Sequence, residues 1–158
     1  NHDHWVDARG IGARLEEVGC AVLQNTHTCV RLKGAPLTLI GVDDGHSGHD
    51  DVAASFRGVP LRGTRLVLAH APLTADRLPE SAGLLCLSGH THGGQIMLPG
   101  LTARVMRTVG QPYVRGLYRV RGNALYVNRG LGFGVGGPAV RVGSPPEVSY
   151  FTLRAAAG

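Results

Sequence analysis

The chain has 158 residues, enough for one domain that buries roughly two thirds of its unfolded surface. Hydrophobic residues make up 43% and aromatics only 5%, so the core is one of Val, Leu and Ala; no apolar run approaches the ~20 residues of a membrane-crossing helix, and no secretory signal is visible. The net charge of +5 favours anionic partners, but the arginines are scattered without a basic run or basic-aromatic interleaving, so a nucleic-acid-binding function is not expected.

Val6, Ile11, Leu15 and Val18 recur at near-helical intervals, with Glu16 and Glu17 opposite and Gly19 placed as a stop, which predicts an amphipathic helix over 6–18. Residues 20–24 and 28–33 read as extended segments of a hairpin around Asn25-Thr26, and 37–42 continues the sheet. The polar stretch 43–51 reads as a solvated loop, followed by a short helix over 50–57 and a strand over 65–69. Pro72 and Pro79 bracket a helical turn, and Leu84-Leu85-Cys86-Leu87 reads as a short buried strand. After an apolar stretch with interleaved Arg at 96–107 come two strands, 116–120 and 124–127, joined by Arg121-Gly122-Asn123, which is good hairpin chemistry. A glycine-rich loop over 130–137 and a last strand over 148–153 complete a mixed sheet with flanking helices, an α/β fold in one domain spanning 1–158. Cys20, Cys29 and Cys86 are an odd set without Cys-x-x-Cys spacing, so neither a disulfide nor a thiolate-bound zinc is demanded.

Chemistry concentrates in Ser88-Gly89-His90-Thr91-His92-Gly93-Gly94-Gln95, two imidazoles on a loop whose glycines stop any continuation of the strand before it. His70 follows the apolar run 66–69 in the same way, and Asn1-His2-Asp3 opens the chain. If these strands lie side by side, the donors meet beyond their carboxyl ends, where open α/β sheets bind ligands. Imidazole, carboxylate and carboxamide donors suit Mn, Fe and Zn, whereas the lack of thiolates argues against a structural zinc site. His4, His27, His46 and His49 have no motif role and read as loop or surface histidines; His46 and His49 lie among four aspartates, an adventitious cation site in a solvated loop for which a place bordering the active site stays open.

The order Asn1-His2-Asp3, His70, Gly89-His90-Thr91-His92 resembles the last three blocks of the calcineurin-like metallophosphoesterases, whose pattern runs Asp-x-His, Gly-Asp-x-x-Asp, Gly-Asn-His-(Asp/Glu), His, Gly-His-x-His. The first two blocks do not occur in this sequence. The longer form through Gln95, with Asn128-Arg129-Gly130-Leu131-Gly132 and Pro145-Pro146-Glu147-Val148, resembles the YkuE-like branch. The resemblance implies the family's four-layer sandwich of two sheets between helices, truncated at its N-terminal side, with one sheet edge left uncovered and prone to self-association. It implies a dinuclear centre of two divalent metal ions, with Asn1, His70 and His90 on one ion and His92 on the other. His2 would stand near the leaving-group oxygen as general acid or electrostatic stabiliser, oriented by Asp3. Arg129 would hold a phosphate oxygen, with a surface salt bridge as its plain alternative. Gly93, Gly94 and Gln95 would shape the loop.

The expected activity is hydrolysis of phosphodiester, phosphomonoester or pyrophosphate bonds, with the chain inactive by itself because the N-terminal ligand blocks are absent. The alternative is a catalytically incomplete module that binds metal or anion. Branch resemblance allows a lipid-linked substrate, with Leu98, Leu101, Val105 and Met106 beside Arg104 and Arg107 resting on a bilayer surface and bringing the protein to a membrane; the plain alternative is a buried flap.

Overall fold

A computed structural model describes residues 1–134 and 139–154. The helix expected over 6–18 is α2 (Ala8–Glu17), and a short helix not expected, α1 (His2–Val6), precedes it; Asp7 leaves helical geometry between them and caps α2 by accepting from the Gly10 amide at 2.9 Å. The strands are β1 (Thr26–Leu32), β2 (Ala35–Val42), β3 (Thr64–Ala69), β4 (Leu85–Ser88), β5 (Gly116–Val120) and β6 (Asn123–Val127). Helices α3 (Val52–Phe56) and α4 (Thr102–Thr108) lie in the connections, and a 3-10 turn covers Pro72–Arg77.

The six strands form one mixed sheet in the order β1-β2-β3-β4-β6-β5. The four central strands run parallel, and antiparallel hairpins close both sides. This bears out the α/β reading of a mixed sheet flanked by helices. The runs 37–42, 66–69 and 84–87 are nearly unbroken apolar stretches, yet burial alternates along β3, β4 and β6, and Leu68 on the less covered face is 39% exposed. Ile40, Val67, Cys86, Leu125 and Val127 are fully buried at its centre. Each such aliphatic side chain contributes roughly 1.5–3 kcal/mol.

Two expectations about local structure are corrected. The first hairpin turns at Lys33-Gly34, not at Asn25-Thr26: Lys33 and Gly34 have φ of 49° and 85°, the pair of positive values that a two-residue hairpin turn uses. Residues 20–24 form no strand; they pass so close over β2 that the Leu23 carbonyl occupies the place a Gly41 Cβ would need. Residues 148–153 are likewise not a strand. They run beside β6 through side chains instead, with the Asn128 amide donating to the Ser149 hydroxyl at 2.8 Å. The part of the glycine-rich loop over 135–137 lies outside the described residues.

Asn123, which is buried, fixes the alignment of β6 with β4. Its Oδ1 accepts from the amides of Ala82 and Leu84 at 3.1 and 3.2 Å, and its Nδ2 donates to the Pro79 carbonyl at 2.8 Å. The carboxyl ends of β2, β3, β4 and β6 therefore share one edge, and the loops leaving that edge begin with Asp43, His70, Gly89 and Asn128.

Candidate functional site

A single pocket of about 1050 Å3 opens at this edge, and Asn1, Asp44, His46, His70, His90 and His92 all line it. His70 follows directly on β3 and His90 stands two residues beyond β4, strands that pair in register, so the two imidazoles meet. His90 Nδ1 and His70 Nε2 are 3.3 Å apart, with the rings edge to face at a centroid distance of 5.0 Å. The Gly89 amide donates to the His70 carbonyl at 3.1 Å, tying one loop to the other.

The double-histidine loop adopts a backbone that side-chain-bearing residues rarely choose. His90, His92 and Gln95 have φ of 67°, 53° and 51°, and Gly93 and Gly94 continue the run at 62° and 81°. Such left-handed residues cost about 1–3 kcal/mol each and cluster at functional sites. Thr91 anchors the loop from within: buried, it donates its hydroxyl to the Val114 carbonyl at 2.6 Å. His92 Nδ1 lies 3.2 Å from the Gly132 carbonyl, which can only accept, so this nitrogen is the donor of the pair.

Asp44 and His46, which the sequence reading left in a solvated loop, belong to the pocket as well. Asp44 is buried, and its Oδ1 has no hydrogen bond; the amino group of Asn1 lies 3.5 Å away. Burial by itself would raise the Asp44 carboxyl, but the hydroxyl and amide of Ser47, with the nearby amino terminus, hold it down at about 2. The His46 ring is tilted against His90 at a centroid distance of 4.8 Å. The signal for both was the end of the strand 37–42, which delivers Asp43-Asp44 to the edge as β3 delivers His70.

Burial pushes His90 down to about 4, helped by His70 and His46 beside it. Burial also lowers His70, and the amino terminus acts in the same direction. At neutral pH both rings are uncharged, the form in which imidazole binds a metal.

The other expected site residues fall out as follows. His2 stacks on Trp5 at 4.8 Å rather than bonding to Asp3, whose side chain makes no hydrogen bond among the described residues. His4, expected at the surface, is largely covered: its Nε2 bonds Asp43 Oδ1 at 2.8 Å, and its ring stacks on His49 at 3.7 Å. Arg129 Nε donates to Glu147 Oε2 at 2.6 Å, the ion pair that was the plain alternative to phosphate binding. Although burial opposes it, Glu147 is held down at about 2 by Tyr126, Ser149 and Arg129.

These donors suit a divalent cation in kind: uncharged imidazoles and a buried carboxylate oxygen with no hydrogen bond, sharing one pocket. Among the described residues, however, no three His, Cys, Asp or Glu side chains close on a common point. His70 and His90 spend their facing nitrogens on each other.

No model of a protein family and no solved structure matches the chain. It is similar to a Bacillus subtilis protein named "Uncharacterized metallophosphoesterase YkoQ", 32% identical over 97% of this chain and 57% of the relative. It is also 32% identical to the Escherichia coli protein named "Phosphodiesterase YaeI", over 97% of this chain and 56% of the relative. With the Chlamydia trachomatis "UDP-2,3-diacylglucosamine pyrophosphatase LpxG" it shares 31% identity over 71% of its length and 36% of the relative. The chain thus spans little more than half the length of the first two.

Proposed function

We infer that this chain belongs to the metallophosphoesterase superfamily, and that the histidine cluster at its sheet edge is part of a phosphoesterase site. The observation that carries this reading is the 3.3 Å meeting of His70 and His90, at the ends of adjacent parallel strands, in a pocket shared with Asp44, His46 and His92. The names of the relatives support phosphate-ester hydrolysis with divalent metal as the activity of the whole protein.

Asn1, His70 and His90 would hold one ion and His92 a second, with Asp44 available on the same wall. A bound pair of divalent ions supplies an activated water and a clamp on the phosphoryl oxygens. The chain's own residues do the rest. Neutral His70 and His90 add no positive charge, and burial keeps them so; their mutual hydrogen bond leaves one lone pair free for a metal, and the other becomes available only when that bond is displaced. His2, stacked on Trp5 at the pocket wall, would give a hydrogen bond to a leaving oxygen. Arg129 has its Nε committed to Glu147 and does not line the pocket, so its part in holding a phosphate oxygen would fall to the remainder of its guanidinium fork.

The substrate class we favour is a phosphodiester or pyrophosphate, lipid-linked as the name of the LpxG relative suggests for that protein. The stretch 96–107 supports approach to a bilayer. Helix α4 buries none of its residues, and Leu98, Leu101 and Val105 stand about half exposed beside Arg104 and Arg107, so the stretch is not a buried flap. No helix among the described residues is long and apolar enough to cross a membrane.

The absence of a closed three-donor group favours a second reading, a module that binds metal or anion without turnover. Hydrolysis of bis(p-nitrophenyl) phosphate with added Mn separates the two. Turnover abolished by His90→Ala supports the enzyme, and metal uptake without turnover supports the binding module. Neither uptake nor turnover would remove both.

A further inference from the structure

Arg141 directs its whole guanidinium at main-chain carbonyls around the double-histidine loop. Its Nε donates to Gly132 O at 2.9 Å, and its Nη2 to the same oxygen at 2.5 Å and to Arg129 O at 2.8 Å. Its Nη1 donates at 3.3 Å to both His92 O and Ser144 O. No carboxylate pairs with it among the described residues. Ser144, fully buried, adds a hydrogen bond from its hydroxyl to His92 O at 3.0 Å.

The carbonyls of Arg129, Gly132 and Ser144 belong to no helix or strand, and a buried acceptor left unpaired costs about 1–3 kcal/mol. A planar fork with five fixed donors can satisfy several such oxygens at once, which an ammonium on a flexible stem cannot do. The oxygen that takes two of the Arg141 bonds, Gly132 O, is also the one that His92 Nδ1 faces at 3.2 Å. Fixing that carbonyl fixes the tautomer and direction of the His92 ring, in the way outer partners orient metal-binding imidazoles.

We propose that Arg141, with Ser144, is a positioning residue for His92: it clasps the 129–132 and 92–95 loops together and holds the imidazole, which lines the pocket, with Nδ1 as the donor. The role of His92 rests on the phosphoesterase reading; the clasp itself rests on geometry alone. Arg141 touches no reacting group.

The test compares wild type, Arg141→Lys and Ser144→Ala, with Arg119→Ala on the exposed face of β5 as control. Nitrogen-15 imidazole spectra of the metal-free protein report the tautomer of each histidine, and titration with Co2+ alone reports affinity through visible absorption. We expect wild type and Arg119→Ala to show His92 as the Nδ1-H tautomer. Arg141→Lys should average the two His92 nitrogens, leave the His70 and His90 signals in place, and weaken cobalt binding about 10- to 100-fold. A folded Arg141→Lys with unchanged His92 signals and unchanged affinity would overturn the clasp. Should that variant fail to fold, Ser144→Ala carries the test: faster amide exchange over 93–95 supports the proposal, and unchanged exchange defeats it. If wild type takes up no cobalt, the metal reading falls while the imidazole spectra still decide the clasp.

Discussion

The Nδ1 atom of His90 and the Nε2 atom of His70 stand 3.3 Å apart, although the two residues are 20 positions apart along the chain. The parallel pairing of β3 with β4 brings them together, and both rings stay neutral because burial disfavours their charge. The two rings bond to each other and line the same pocket as Asp44, His46 and His92, so the pair belongs to the set of donors gathered there.

Replacing His90 by Ala should therefore abolish uptake of divalent metal, whereas His49→Ala should not, because His49 stacks on His4 away from the His70 and His90 pair. Metal content after dialysis against Mn decides this. Equal loss in both variants would defeat the assignment of the site.

Acid should weaken the metal-free protein in two separate windows. His90 titrates near 6.5 when unfolded but is pushed down to about 4 when folded, so the unfolded chain binds the extra proton and stability falls as pH drops from about 6.5 toward 4. Asp44 and Glu147, held at about 2, add a second loss only as pH falls below about 4 toward 2. Thermal melts across pH 8 to 3 should show both slopes, and His90→Ala should flatten the upper one while leaving the lower. A slope between pH 6.5 and 4 that survives in both His90→Ala and His70→Ala would show that these rings are not its source.

Glu147→Gln should cost about 1–3 kcal/mol, because it breaks the bond to Arg129 Nε and leaves Tyr126 and Ser149 facing a mismatched amide. Glu80→Gln is the comparison: its pair with Arg121 at 3.3 Å is exposed, and such pairs contribute little. Urea denaturation of both variants measures the difference, and equal midpoints would contradict it.

Gly93→Ala should destabilise by more than Gly100→Ala, although both glycines have positive φ, 62° and 75°. At Gly100 an added methyl meets open space, so only the backbone penalty of about 1 kcal/mol applies. At Gly93 it would strike the Ser144 hydroxyl and the Arg129 side chain, disturbing the buried clasp as well. Denaturant midpoints that order the two variants the other way would refute this packing.

Anionic phosphatidylglycerol vesicles should bind the protein through α4, and the double change of Arg104 and Arg107 to Glu should release it. Basic residues near such a surface contribute about 1 kcal/mol each, so reversing two charges should lower partitioning by well over tenfold. Flotation that is indifferent to the reversal would exclude 96–107 as the contact.

Amino-acid order alone determined most of the elements and the chemistry at their ends. Apolar runs marked the strands before His70 and before His90, glycines marked the loop between His90 and Gln95, and Arg121-Gly122 marked a hairpin, because these are properties of neighbouring residues. Where neighbours allowed more than one solution, as with Asn25-Thr26 against Lys33-Gly34, only the folded backbone chose between them. Likewise, only tertiary structure decided which strand ends stand side by side. The order β2-β3-β4-β6 comes from parallel pairing across long crossovers, and it alone carries Asp44 and His46 to the imidazoles of His70 and His90. Arg141 was invisible for the same reason: nothing in its neighbours foretells that four carbonyl oxygens, from residues up to 49 positions away, would converge on one guanidinium.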